Sequence, residues 1–146
     1  MIPKTGTRTT LDSQIATFTS SNPSLVLGGG NLLEERRIHT QIFGFTNTPK
    51  NLQSPISAVE FTALRGPHGA INIRVLYPSS PQIKTDPKTK KALTPALVYF
   101  HGGGYTVGTS DEFENGCRIL AERAGVQVYV VEYRLAREWK FPAQLD

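Results

Sequence analysis

Ala96-Leu-Val-Tyr-Phe-His-Gly-Gly-Gly-Tyr-Thr-Val-Gly108 is the stretch on which the reading of this 146-residue chain turns. Its first five residues form a short continuous apolar run, the signature of a strand buried on both faces. Three consecutive glycines break that run, and the segment after them carries complete helix punctuation. Thr109 and Glu112 have capping-box spacing, and Asp111, Glu112 and Glu114 crowd the positive end of the expected helix. Arg118 and Arg123 lie toward its other end, and Gly125 is placed to stop it. Phe113, Cys117, Leu120, Ala121 and Ala124 are expected to form its buried stripe. A second apolar run follows at 126–131, so the unit reads strand, glycine loop, helix, strand, with a right-handed parallel crossover.

Upstream, residues 59–64 and 71–77 both alternate apolar with polar side chains, and Gly66-Pro-His-Gly69 between them is turn material, which predicts a β-hairpin. Residues 1–57 are rich in Ser, Thr, Asn, Gly and Pro, with Gly28-Gly29-Gly30 as a break. One helical patch stands out there, around 31–43, where Leu32, Leu33, Ile38 and Ile42 recur at helical spacing. The expected division is therefore a variable, cap-like segment at 1–57 and an α/β unit at 58–146.

Composition excludes several function classes. The formal charge of +4 is concentrated between Lys50 and Lys91, where seven basic residues face only Glu60 and Asp86. Four of them lie in Lys84-Thr-Asp-Pro-Lys-Thr-Lys-Lys91, which offers no aromatic ring for a base to stack on. A solvated loop is expected, and nucleic acid is discounted as a partner. Cys117, the single cysteine, cannot close an internal disulfide, and one thiol does not make a structural zinc site. The opening residues carry no apolar leader core, and no run approaches the roughly 20 residues a membrane span needs. The expectation is a soluble, cytoplasmic protein.

In a parallel α/β unit, ligands gather beyond the carboxyl ends of the strands, which is where His101-Gly-Gly-Gly104 falls. Consecutive glycines admit positive φ and let a ligand approach the main chain, so two successive N–H groups can face one developing negative charge. Phosphate binding is the rival use. A G-x-G-x-x-G begun at Gly102 requires glycine where Val107 stands, and one begun at Gly103 requires it at Tyr105. No Lys-Ser or Lys-Thr pair closes a P-loop either. A merely permissive turn between strand and helix is the plainer alternative.

Tyr99-Phe-His-Gly-Gly-Gly-Tyr-Thr-Val-Gly108, followed by Val131-Glu-Tyr-Arg-Leu-Ala136 and Phe141-Pro-Ala-Gln-Leu-Asp146, resembles the hormone-sensitive-lipase-like esterases, a branch of the α/β-hydrolases. The resemblance runs from about residue 56 to the end, and the hairpin matches the family's opening strands. It implies an α/β fold comprising the N-terminal half of an α/β-hydrolase sheet: an antiparallel hairpin, then a parallel strand-helix-strand, ending before the nucleophile elbow. It also implies oxyanion donors on the N–H groups of Gly103 and Gly104, with His101 and Gly102 shaping the loop. A third donor would follow the nucleophile. Tyr133 and Arg134 are expected to brace the loop, and Tyr105 to border the acyl pocket. No metal or organic cofactor is implied, and the complete protein's substrate would be a small-molecule ester of short to medium acyl chain.

Two departures qualify the match. Arg137-Glu138 stands where the family has Pro-Glu after Tyr-Arg-Leu-Ala. No serine lies in a G-x-S-x-G: only Ser110 has glycine two before it, and its second following residue is Glu112. The nucleophile, acid and base are accordingly expected outside these residues, and the chain alone is expected to be inactive. A non-catalytic binding or regulatory protein on the same scaffold, or an incomplete gene product, is the alternative. The strand at 96–100 is expected to be an unpaired apolar edge that favours self-association. His39 falls in an expected surface helix and His68 in a turn, neither with an evident partner, and Cys117 reads as an inert core thiol.

Overall fold

Alternation of apolar and polar side chains over two nine-residue stretches produces the hairpin at the base of the fold. β1 (Ala58–Gly66) and β2 (Gly69–Tyr77) pair antiparallel from Ala58↔Tyr77 to Gly66↔Gly69. The computed structural model describes residues 11–26, 28 and 30–146. The opening segment 1–10 and Gly29 of the expected glycine break lie outside them. The lysine-rich stretch forms a small exposed ribbon of β3 (Lys84–Thr85) against β4 (Ala92–Leu93). β5 (Ala96–Phe100) leads through the glycine loop into α3 (Ser110–Ala124), and the chain returns as β6 (Gln127–Glu132).

β5 and β6 pair in parallel, and β6 pairs antiparallel with β2, giving the order β1-β2-β6-β5. β5 is thus an edge strand, and Val98 and Phe100 on it are exposed. α3 covers one face of the sheet. Leu76, Cys117, Ala121, Val128 and Val130 are fully enclosed there, with Val59, Leu97, Tyr99 and Phe113 packed around them.

α3 begins and ends where its sequence dictates: the Thr109 hydroxyl accepts from the Glu112 N–H at 3.3 Å, and Gly125 closes it in the left-handed conformation. Its buried stripe is rotated from the expected one. Ser110, Glu114, Cys117 and Ala121 face inward, whereas Leu120 and Ala124 are exposed. The rotation brings the buried Glu114 carboxylate to the guanidinium of Arg74 on β2 and, at 2.6 Å, to that of Arg118. A buried carboxylate needs such partners, because an uncompensated charge there is strongly destabilising.

The described residues before β1 carry more helix than their composition predicts. α1 (Ser13–Ser21) was not expected. Asp12 caps it by accepting from the Gln14 N–H at 2.9 Å, and Thr17, Thr19 and Ser20 return their hydroxyls to carbonyls of the preceding turn. The expected helix at 31–43 is α2 (Leu32–Phe43), capped by Asn31, although Leu33 of its expected apolar face is exposed. α2 and the segment after it are strapped along α3 by polar contacts. Thr40 donates to Glu112 at 3.0 Å, the Phe45 N–H to Asp111 at 3.1 Å, and the Ser54 N–H to Asn115 at 2.8 Å. Among the described residues, no helix is long and apolar enough to cross a membrane.

Candidate active site

The loop between β5 and α3 is folded back on itself by its own carbonyls. The Gly103 carbonyl accepts from the N–H groups of Thr106 at 3.0 Å and Val107 at 3.1 Å, and from the Thr106 hydroxyl at 3.0 Å. Gly103 has a φ of 129°, and a Cβ there would stand 1.9 Å from the Val107 carbonyl oxygen, so this turn closes only on glycine. The two ends of a trans peptide point in opposite directions. With the Gly103 carbonyl tied into the turn, the Gly104 N–H is directed out of it.

The preceding peptide is set in the same way by His101. Its Nδ1–H donates to the Gly102 carbonyl at 2.9 Å, which turns the Gly103 N–H to the opposite side. A carbonyl only accepts, so this contact fixes the proton on Nδ1. The ring is stacked between Tyr133, with centroids 4.2 Å apart, and Phe113, at 5.7 Å. Nε2 is buried without a hydrogen-bond partner, 4.0 Å from a Glu132 carboxylate oxygen. The His101 side chain is wholly shielded from solvent.

Neither the Gly103 N–H nor the Gly104 N–H donates a hydrogen bond among the described residues. Both glycines line an open cavity of about 490 Å³, together with Phe100, Gly102, Tyr105 and Tyr133. Adjacent amides left free on a cavity wall can receive one oxygen as negative charge grows on it. Tyr105 is half-exposed, its ring edge-on to Tyr133 at 5.9 Å. The same residue adopts a φ of 60°, uncommon for a side chain of its size, and its carbonyl is held at 2.7 Å by the Ala136 N–H.

Of the two expected braces, Tyr133 is in place. Its hydroxyl donates to the His101 carbonyl at 2.6 Å. Burial first, and the neighbouring Tyr105 next, push its phenol above the ordinary range, so it stays a donor at neutral pH. Arg134 is not a brace for the loop. It donates to the His68 carbonyl in the hairpin turn, and its guanidinium lies 4.5 Å from the Trp139 ring centroid. His68 therefore has the partners its sequence position did not reveal, including Asp146 at 3.1 Å. His39 keeps a buried Nε2 with no partner among the described residues. Arg36 on α2, which sequence reasoning passed over, reaches the loop directly by donating to the Thr106 carbonyl at 2.7 Å.

Residues 97–146 match the family described as alpha/beta hydrolase fold. Over 98 residues the chain is 36% identical to an esterase of Mycobacterium tuberculosis, LipI, covering 67% of this chain and 28% of that one. The fold superposes on a hyperthermophilic esterase of the archaeon Pyrobaculum calidifontis with a TM-score of 0.74 and 28% identity, over 92% of this chain and 40% of that one. These matches support a resemblance to the hormone-sensitive-lipase-like esterases over part of the chain, and the fold is that of a partial α/β-hydrolase. An ethyl acetate hydrolase of Pseudomonas putida is 53% identical over 51 residues, 35% of this chain and 16% of that one. The chain thus spans less than a third of the length of these two sequence relatives.

Proposed function

We propose that this chain supplies the oxyanion-binding half of a serine carboxylesterase acting on short- to medium-chain acyl esters. The observation that carries the reading is the pair of unpartnered amides at Gly103 and Gly104 on a cavity wall. In this reading a serine outside the 146 residues attacks the ester carbonyl, and the carbonyl π electrons pass to oxygen. The two amides receive that oxyanion, the alcohol departs with a proton, and water releases the acid from the acyl-enzyme. Removal of one such donor typically slows acyl transfer by about a hundred- to a thousandfold. His101 and Gly102 shape the loop, Tyr105 borders the acyl pocket, and residues 1–57 serve as a cap-like segment.

The test pairs binding with turnover. Calorimetric titration of the chain with butyrate, whose carboxylate oxygens stand in for the oxyanion, should show saturable binding. p-Nitrophenyl acetate should remain at its background hydrolysis rate. Saturable turnover would overturn the assignment of the nucleophile to residues outside this chain. Absence of butyrate binding by the folded protein would count against the oxyanion site.

A further inference from the structure

One side chain joins three parts of the chain that are far apart in sequence. Arg36 Nε donates to the Thr106 carbonyl at 2.7 Å, and its terminal nitrogens donate to the Ala136 carbonyl at 2.5 Å and to both Glu138 carboxylate oxygens at 2.7 and 3.1 Å. Arg36 is largely buried, while Glu138 is half-exposed. The two carbonyls it takes belong to residues already linked to each other through the loop. Ala136 N–H holds the Tyr105 carbonyl, and the Thr106 N–H holds the Gly103 carbonyl.

Every carbonyl from 102 to 106 except that of Gly104 is therefore anchored, and the last anchor comes from the N-terminal segment. Tyr105 sits at the centre of this arrangement in a left-handed conformation. A left-handed non-glycine residue costs about 1–2 kcal/mol and persists only where its surroundings over-determine it. Arg36 is well suited to the task, because a planar fork with five donors can take a carboxylate in two contacts and still reach backbone oxygens. A lysine offers a compact point charge and cannot span the same set.

We propose that Arg36 is a positioning residue for the glycine loop: by clamping the Thr106 and Ala136 carbonyls, with Glu138 holding its guanidinium in plane, it lets the N-terminal segment set the direction of the Gly103 and Gly104 amides. The proposal rests on the oxyanion reading above for its catalytic meaning, and on the contacts alone for its mechanical content.

Backbone-resolved hydrogen exchange on the full chain separates the two. Arg36→Ala and Arg36→Lys should each speed exchange at the Thr106, Val107 and Ala136 amides by about ten- to a hundredfold, the worth of hydrogen bonds to a charged group. Amides of β6 such as Val128 and Val130 should change little. Glu138→Gln, which leaves both carbonyl contacts possible, should have a smaller effect. Both Arg36 variants should also weaken butyrate binding. Unchanged loop exchange in a folded Arg36→Ala protein would overturn the proposal. So would uniform acceleration of loop and β6 together, or failure of both Arg36 variants to fold, since either would make Arg36 a support of the whole fold. If wild-type protein binds no butyrate, the oxyanion reading fails while the exchange data still decide the clamp.

Discussion

Tyr133 and His101 are joined twice: the phenol donates to the His101 carbonyl at 2.6 Å, and the two rings stack with centroids 4.2 Å apart. One residue from the end of β6 thereby fixes both the backbone and the side chain of the residue that opens the glycine loop. Tyr133→Phe keeps the stack and removes the hydrogen bond, leaving a shielded carbonyl unpaired. It is expected to cost about 1–2 kcal/mol in urea denaturation. Backbone resonance shifts should concentrate at Gly102 and Gly103, and an equal shift across the sheet would contradict the assigned role.

Gly103 and Gly104 are adjacent and chemically identical, yet substitution should separate them sharply. At Gly103 an added Cβ meets the Val107 backbone at 1.9 Å with φ at 129°; at Gly104, with φ at 58°, it meets nothing within 4 Å. Gly104→Ala should lose about 1 kcal/mol, the cost of alanine in a left-handed conformation. Gly103→Ala combines a forbidden backbone with a direct clash and should lose roughly 3 kcal/mol or more, or refold the loop. Thermal or chemical denaturation of the two variants measures the difference, and equal losses would show that the turn is not closed as described.

The hairpin, β5, α3 and β6 were legible because their periodicity and punctuation are local properties of the chain. α1 was not, since it buries no side chain and is held by Ser and Thr hydroxyls that read equally well as loop chemistry. The buried stripe of α3 was misplaced for a long-range reason: Glu114 turns inward to meet Arg74, forty residues away. In the candidate site, the glycine loop announced itself, whereas Arg36 and Arg134 bind backbone carbonyls of remote residues. Such contacts leave no trace in composition or spacing. An arginine on the inward side of a helix that has few other buried residues is the only local hint.

Cys117 is 1% exposed, and burial, with the Glu114 carboxylate adding to it, pushes its thiol from 9.0 up to about 11. The thiol should resist a disulfide reagent at pH 8 in native protein and react fully in urea. The raised value also has a sign in stability. The contribution is complete below the unfolded-state value near 9 and is lost as pH rises through about 11. Alkaline denaturation that begins in this window and is relieved by Cys117→Ala is the expected result. Rapid native-state labelling would refute the enclosed position.

Among the described residues β5 is paired on one side only, with Val98 and Phe100 exposed, and apolar edges recruit further strands. Sedimentation of the isolated chain is expected to show self-association that weakens when Val98 is replaced by lysine. A concentration-independent monomer would contradict this.

In the proposed oxyanion site the amides of Gly103 and Gly104 converge on one oxygen. Amide-resolved NMR titration of the 15N-labelled chain with butyrate tests it most directly. Saturable downfield proton shifts are expected at these two amides, the largest in the spectrum and sharing a single binding constant. Shifts centred elsewhere, or two amides that titrate independently, would contradict it.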